Sequence, residues 1–85
     1  MIKLLDFYAT WCGPCKMLSP IIDELSEDRS LEVVKIDIDK NEDLVKEFGI
    51  MSVPTIVLLK DNKEVARNIG FIRKNDLESW ISKNI

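Results

Sequence analysis

The chain contains two cysteines, Cys12 and Cys15, which have two residues between them in the sequence WCGPCK at positions 11–16. A short apolar run precedes the pair and a helical pattern of apolar residues follows it, so the cysteines lie at a predicted strand-to-helix junction. Backbone N–H groups in the first turn of a helix have no intrahelical acceptor, and with the helix dipole they favour a nearby anion. For a cysteine the favoured anion is the thiolate, which is the nucleophilic form. The pattern predicts a dithiol redox centre.

Two other uses of a cysteine pair stay open at this point. A structural disulfide would close a loop of four residues, which constrains the unfolded chain by only about 2 kcal/mol. A zinc site needs four ligands, and two thiolates supply half of them in a chain without histidine. A shared site, such as an iron–sulfur cluster, would need two chains to contribute their pairs. We favour the redox use over these alternatives and expect a redox-active disulfide between Cys12 and Cys15, with no metal and no bound organic cofactor.

Composition restricts the class of protein and its partners. The 85 residues have room for one domain, residues 1–85, with a single core. An apolar fraction of 46% and a charged fraction of 32% are those of a globular protein. The net charge of −3 argues against nucleic acid as a partner, and no apolar run is long enough for a membrane span. Residues 1–6 resemble a signal peptide only faintly, so we expect a cytoplasmic protein, and stable structural disulfides are uncommon in that compartment.

The hydrophobic pattern predicts alternating strands and helices. Short runs rich in apolar and β-branched side chains predict four strands, at residues 2–8, 31–38, 55–59 and 64–69. Apolar stripes at helical spacing predict three helices, from residue 14 to residues 29–30, over residues 44–48, and from residue 74 onwards. The order is βαβ, a connecting helix and ββα. This order predicts an α/β fold with a four-stranded mixed sheet flanked by three main helices.

Details of these elements can also be predicted. Pro14 falls in the first turn of the first helix, where its missing N–H costs no hydrogen bond. Glu78 stands three residues after Asn75 and is expected to help cap the last helix. Residues 60–63 are expected to form a polar tight turn, and residues 31–38 an outer strand of the sheet. The core is expected to include Phe7, Phe48, Trp80 and the three methionines.

The chain resembles a thioredoxin. The matching residues cover essentially the whole sequence: DFYA at 6–9, WCGPCK at 11–16, Pro20, VKID at 34–37, FGI at 48–50, VPT at 53–55 and Gly70. WCGPCK followed by VPT at this distance is a specific combination, whereas a lone C-x-x-C is not. The resemblance implies a minimal thioredoxin fold. The chain starts at the strand that holds Asp6, without the extra strand and helix of longer members, as in the short thioredoxin-like proteins of some archaea.

The resemblance implies a thiol–disulfide oxidoreductase that reduces the disulfides of protein substrates. Cys12, at the helix start, is expected to be the more exposed thiol and to attack the substrate disulfide. Cys15, one turn further, is expected to resolve the mixed disulfide from within the same molecule. Gly13 and Pro14 go with a reducing potential in thioredoxins, and Gly13 permits the close approach of a partner. Electrons would come from a thioredoxin reductase or another dithiol or thiol, and we expect a monomer.

Asp6 is an acid inside an apolar strand. A buried carboxylate tends to have a raised pKa and is costly unless it has a partner. The resemblance implies that Asp6 lies behind the active site and exchanges a proton with Cys15. It also implies that Lys35, on the neighbouring strand, pairs with Asp6. The alternatives are a solvated carboxylate at a strand end and a solvated lysine.

Four further residues are expected on the substrate side of the site. The resemblance implies a cis bond between Val53 and Pro54, packed against the cysteines, with the Val53 backbone facing an extended substrate segment. Trp11 would pack against the substrate beside the reactive thiol, and Gly70 would flatten the groove. The alternatives are core packing for Trp11, an ordinary strand start for Pro54 and a strand-end breaker for Gly70.

Two other functions remain as alternatives. One is a glutaredoxin-like reductase that depends on glutathione or another small thiol, and the electron donor would distinguish it. The other is a non-enzymatic binding subunit with a thioredoxin fold, in which replacement of both cysteines by serine would leave the native process intact.

Overall fold

The computed structural model describes residues 1–29 and 31–85. The described elements are β1 (Ile2–Tyr8), α1 (Gly13–Asp28), β2 (Glu32–Asp37), α2 (Glu42–Phe48), β3 (Thr55–Lys60), β4 (Lys63–Ile69) and α3 (Lys74–Asn84). Their order is the expected one, and their ends lie within two residues of the predicted ends. The predicted end of α1 falls partly on Ser30, which lies outside the described residues.

The four strands form one mixed sheet in the order β2-β1-β3-β4. β1 pairs in parallel with β2 and antiparallel with β3, and β3 pairs antiparallel with β4. β2 is therefore an outer strand, as predicted. In this register Asp6 of β1 lies opposite Lys35 of β2 on one side and Ile56 of β3 on the other. The parallel pairing also brings the carboxyl ends of β1 and β2 to the same edge of the sheet.

The two central strands read as mostly apolar runs because both faces of the sheet are covered. On one face Leu4 and Ile56 pack with residues of α1 and α3, among them Leu18, Ile22 and Leu77. On the other face, successive side chains point the opposite way, and a second set of buried residues packs with side chains of α2. This second set comprises Leu5, Phe7, Ile36, Val57 and Leu59. Asp6 alternates with these residues and so shares the α1 face with Leu4.

The β3–β4 connection is the polar tight turn that the sequence predicts. Its two central residues, Asp61 and Asn62, have φ angles of 52° and 69°, while Lys60 pairs with Lys63 across the ladder. Positive φ at both positions is the geometry of a two-residue hairpin turn whose twist matches that of the strands.

Some predicted details are wrong. Met1, Met17 and Met51 are exposed rather than in the core, whereas Phe7 is fully buried, and Phe48 and Trp80 pack as partly buried side chains against the two core clusters. α3 starts one residue earlier than the predicted cap, with Arg73 at the N-cap and no side-chain capping hydrogen bond. An acid in the first turn, Asp76, still complements the helix dipole.

Candidate active site

Cys12 and Cys15 form a disulfide at the start of α1, with their Cα atoms 5.3 Å apart. Cys12 is the N-cap residue and has extended backbone angles, φ −93° and ψ 112°. Its Sγ accepts a hydrogen bond from the backbone N–H of Cys15 at 3.2 Å. The predicted strand-to-helix location is confirmed. A donor N–H and the positive end of α1 both act on the sulfur of Cys12, and both favour a thiolate there.

The expected difference in exposure between the two cysteines is wrong for the disulfide-bonded state. Both side chains are 5% exposed. The disulfide draws both sulfurs into a small buried cluster with Ala9, and Val53 packs against that cluster. Chain position, rather than exposure, distinguishes them here, because Cys12 precedes the helix and Cys15 lies within it.

The loop before β3 lies against the disulfide, as the resemblance implied. The peptide bond between Val53 and Pro54 is cis, and Val53 packs on the cysteine cluster. The carbonyl oxygen of Pro54 accepts a hydrogen bond of 2.8 Å from the backbone N–H of Gly70. Gly70 has a φ of 95°, and a Cβ at this position would meet no atom within 4 Å. These residues form one contiguous region beside the disulfide.

The surface around the disulfide exposes apolar side chains. Trp11 is 68% exposed, which excludes the alternative that it packs in the core. Gly13 and Pro14, the first residues of α1, are exposed as well. Met17 follows Cys15 by two residues and Met51 precedes Val53 by two, and both are exposed. The two methionines are predicted to lie in the core, so their place on the surface near the cysteines is not predicted from the sequence.

Asp39 contacts Trp11 and is not among the site residues predicted from the sequence. Its Oδ2 accepts a hydrogen bond of 3.1 Å from the indole N–H of Trp11. Its own backbone N–H donates to Asp37 Oδ1 at 2.9 Å, and the Asn41 amide donates to the Asp37 carbonyl at 2.9 Å. The signal was present in the parallel pairing of β1 and β2, which brings residues after β1 close to residues after β2.

Asp6 is buried, with 3% of the residue exposed, as predicted. Burial raises the pKa of its carboxyl to about 6; the positive charge of Lys35 opposes this rise and the negative charge of Asp23 adds to it. A cleft of about 320 Å³ connects this carboxyl with the active site, since Asp6, Cys15, Ser19 and Lys35 all line it. The structure thus brings Asp6 and Cys15 to one cavity behind the disulfide.

The expected pairing of Lys35 with Asp6 is wrong. Lys35 lies opposite Asp6 in the register, but its Nζ forms an ion pair of 2.7 Å with Asp23 Oδ1 and donates a hydrogen bond of 2.7 Å to Ser19 Oγ. Lys35 therefore affects the pKa of Asp6 through its charge and not through an ion pair. Ser19 and Asp23 are four residues apart on α1, a spacing that places both on one helix face, and this was the available signal.

Two searches of the described residues bear on cofactors and membranes. Within residues 1–29 and 31–85, no three side chains of the metal-ligating types converge on a common point. Over the same residues, none of the helices combines the length and apolar character that a membrane crossing requires.

Comparisons with known proteins agree with this geometry. The sequence model of the family described as Thioredoxin matches residues 1–83. Thioredoxin from Rickettsia felis is 49% identical over 84 residues, which cover 96% of this chain and 80% of that protein. Thioredoxin from Bacillus subtilis is 41% identical over 86 aligned positions, covering 99% of this chain and 83% of that one.

Solved structures give the same result. A mutant thioredoxin from Halobacterium salinarum NRC-1 superposes with a TM-score of 0.93 at 40% identity, covering 98% of this chain and 74% of that one. Thioredoxin NaTrxh from Nicotiana alata superposes with a TM-score of 0.89 at 45% identity, covering 98% and 72%. The four-stranded mixed sheet, the disulfide at the start of α1 and these matches lead to one conclusion. The chain belongs to the thioredoxin family, and it is a thiol–disulfide oxidoreductase that acts through the neighbouring pair Cys12 and Cys15.

Proposed function

We propose that the chain reduces disulfide bonds of protein substrates, with Cys12 as the attacking thiol and Cys15 as the resolving thiol. The observation that carries this assignment is the hydrogen bond from the N–H of Cys15 to the Sγ of Cys12 at the N-cap of α1. In the reduced protein the same donor and the helix dipole would stabilise a thiolate on Cys12. Cys15, inside the first helical turn, is the thiol that attacks afterwards and resolves the mixed disulfide.

The reaction takes two steps. In the first, the Cys12 thiolate attacks one sulfur of the substrate disulfide, and the other substrate sulfur leaves as a thiolate that takes a proton from water. In the second, Cys15 loses its proton and attacks Cys12 Sγ, which releases the remaining substrate sulfur and forms the Cys12–Cys15 disulfide. Two electrons pass from the dithiol to the substrate. The second step is intramolecular and gains the corresponding effective concentration.

Asp6 is the group we assign to receive the Cys15 proton. It lines the same cleft as Cys15, and its pKa, raised by burial to about 6, is close to the range in which a general base is effective at neutral pH. Lys35 lines this cleft as well and moderates the charge on Asp6.

The substrate is proposed to lie across the contiguous region of Val53, Pro54 and Gly70. Val53 packs directly on the disulfide cluster, so a peptide segment that hydrogen-bonds to its backbone would bring a substrate disulfide to Cys12. Trp11 provides an exposed aromatic surface on the same side. Gly13 and Pro14 leave the approach to Cys12 free of large side chains.

The electron donor, the oligomeric state and the compartment belong to the same proposal. Members of the thioredoxin family act on disulfide-containing proteins and receive electrons from a reductase. We assign a thioredoxin reductase or a small thiol as donor, with the chain acting as a monomer in the cytoplasm. Charged side chains on the outer strand β2, such as Glu32 and Lys35, discourage edge-to-edge pairing.

Trapping tests the assignment. The Cys15→Ser variant, incubated in reduced form with a disulfide-bonded protein, should accumulate a mixed disulfide at Cys12 that dithiothreitol releases. The Cys12→Ser variant is the matched control and should form far less adduct. Equal adduct from both variants, or none from Cys15→Ser, would contradict the assignment. Regeneration of the dithiol by glutathione alone, but not by a flavin-dependent reductase, would identify a small thiol as the donor and favour the glutaredoxin-like alternative.

A further inference from the structure

We propose that Asp23 is a positioning residue for this reaction, which holds the Lys35 ammonium on α1 and keeps it from pairing with Asp6. The inference rests on the proposed role of Asp6 as proton acceptor. It adds a residue that neither touches the reacting sulfurs nor lines the cleft, and it gives that residue a defined effect on proton transfer.

The Lys35 ammonium contacts α1 and not its neighbour Asp6. Asp6 and Lys35 are direct neighbours on β1 and β2, so an ion pair between them would be the simple arrangement. The Lys35 Nζ instead has two anchors on α1, Asp23 Oδ1 at 2.7 Å and Ser19 Oγ at 2.7 Å. An ammonium with two short contacts to one helix face is restrained in its position.

Charged groups from two neighbouring elements surround Asp6. β2 contributes Lys35, and α1 contributes Asp23. Lys16 and Tyr8 also line the cleft, as does Cys15, whose thiol is present once the disulfide is reduced. β3 contributes the buried, apolar Ile56 opposite Asp6. Lys35 and Asp23 are the two charged groups that act on Asp6 with opposite sign.

Asp23 then affects Asp6 in two ways that add. Its negative charge disfavours a second negative charge on Asp6, and its ion pair withholds the Lys35 ammonium from Asp6. Removal of the Asp23 charge abolishes both effects, so the Asp6 carboxyl would ionise at lower pH and become a weaker proton acceptor for Cys15. Removal of the Lys35 charge has the opposite sign. If Asp23 and Lys35 had only a structural role, removing their charges would not shift the pKa of Asp6 in opposite directions.

The experiment follows the titration of the Asp6 carboxyl by NMR in the oxidised protein. Asp23→Asn is expected to move the midpoint to lower pH by about 0.5, and Lys35→Met to move it to higher pH by a similar amount. Asp23→Glu should restore the wild-type midpoint, and Ser19→Ala should give a smaller downward shift. The matched control is Glu24→Gln, which makes the same charge change on the next residue of α1, where Glu24 pairs with Lys74 instead.

The pH profile of substrate reduction provides the second readout. Its acidic limb should move to lower pH in Asp23→Asn and not in Glu24→Gln. An Asp6 midpoint that stays in place in Asp23→Asn, or moves no further than in Glu24→Gln, would overturn the inference while leaving the role of Asp6 intact. An Asp6→Asn variant with an unchanged pH profile would instead remove the proton-acceptor role itself. If Lys35→Met fails to fold, the Asp23→Asn titration decides alone, since Asp23 is more than half exposed.

Discussion

The indole N–H of Trp11 donates a hydrogen bond to Asp39 across 28 positions of sequence. The tryptophan ring is otherwise exposed beside the disulfide, and Asp39 is itself held by its backbone hydrogen bond to Asp37. A large aromatic side chain on the proposed substrate side is therefore fixed in orientation before a partner arrives. Fixing such a side chain in advance reduces the entropy lost on binding.

Loss of the Asp39 acceptor should weaken substrate binding more than chemistry. A hydrogen bond to a charged group contributes about 1.5 kcal/mol, so we expect Asp39→Ala to raise KM for a disulfide-bonded protein up to about 10-fold, with a smaller change in kcat. Steady-state kinetics measure the split. Asp39→Asn keeps an oxygen acceptor without the charge and should raise KM less than Asp39→Ala does. A fall in kcat at constant KM would contradict a role in binding.

The orientation of Trp11 can be followed separately. Trp11 and Trp80 are the two tryptophans of the chain, so a Trp80→Phe background leaves Trp11 as the sole indole reporter. In that background Asp39→Ala should increase the rotational mobility of Trp11, seen as lower fluorescence anisotropy. Unchanged anisotropy would show that packing, and not Asp39, orients the ring.

Asp6 makes stability depend on pH with a defined sign. Its folded-state pKa is raised from 3.8 to about 6, so between these values the folded chain holds a proton that the unfolded chain has released. The free energy of unfolding therefore falls as pH rises from about 4 to 6 and stays lower above this window, by about 2–3 kcal/mol from this group. Asp6→Asn should remove this contribution. Urea unfolding of the oxidised protein at pH 4 and pH 7 measures it.

The comparison of variants isolates the Asp6 contribution from that of other acids. Relative to wild type, Asp6→Asn should gain stability at pH 7 compared with pH 4. The control is Glu47→Gln, which removes an exposed acid of α2 and should show no such gain. If the stability difference between wild type and Asp6→Asn is the same at both pH values, the pKa of Asp6 is not raised in the folded protein.

The order of strands and helices could be predicted because local patterns determine it. The runs of β1 and β3 are mostly apolar, and the stripe that includes Leu18 and Ile22 repeats at helical spacing. The reacting pair could be predicted for the same reason, since Cys12, Cys15 and the helix start are adjacent in the chain. The cis bond before Pro54 came from family resemblance, because the local sequence does not distinguish it from a strand start.

The contacts of charged side chains could not be predicted with the same success. Lys35 has an acid beside it in the sheet, Asp6, and a second acid above it on α1, Asp23, and the choice between them depends on how α1 packs. Desolvation opposes a buried ion pair, which is consistent with the choice of the more exposed Asp23. The exposure of Met17 and Met51 could not be predicted for a different reason: residue type does not distinguish an exposed apolar side chain from one buried in the core.

Gly70 combines a positive φ with a place in the proposed substrate region. Replacement by alanine at φ 95° should cost about 1–2 kcal/mol, and the new Cβ would project into open space where a substrate is proposed to lie. Gly70→Ala should therefore lower both thermal stability and the rate of substrate reduction.

Gly49 provides the matched control for this prediction. It has a φ of 62° and caps α2, so Gly49→Ala should lose a similar amount of stability while retaining activity at temperatures where both variants are folded. Equal losses of activity in the two variants would mean that Gly70 acts through stability alone.

Met17 and Leu18 are adjacent on α1 and test the boundary between surface and core. Leu18 is 1% exposed and packs in the main core cluster, so Leu18→Ala should cost about 2–5 kcal/mol because of lost burial and the cavity left behind. Met17 is 61% exposed, so Met17→Ala should change stability by less than about 0.5 kcal/mol. Urea unfolding of the two variants measures both values. Comparable losses would place Met17 in the core, as its residue type alone suggests, and would remove it from the apolar surface around the disulfide.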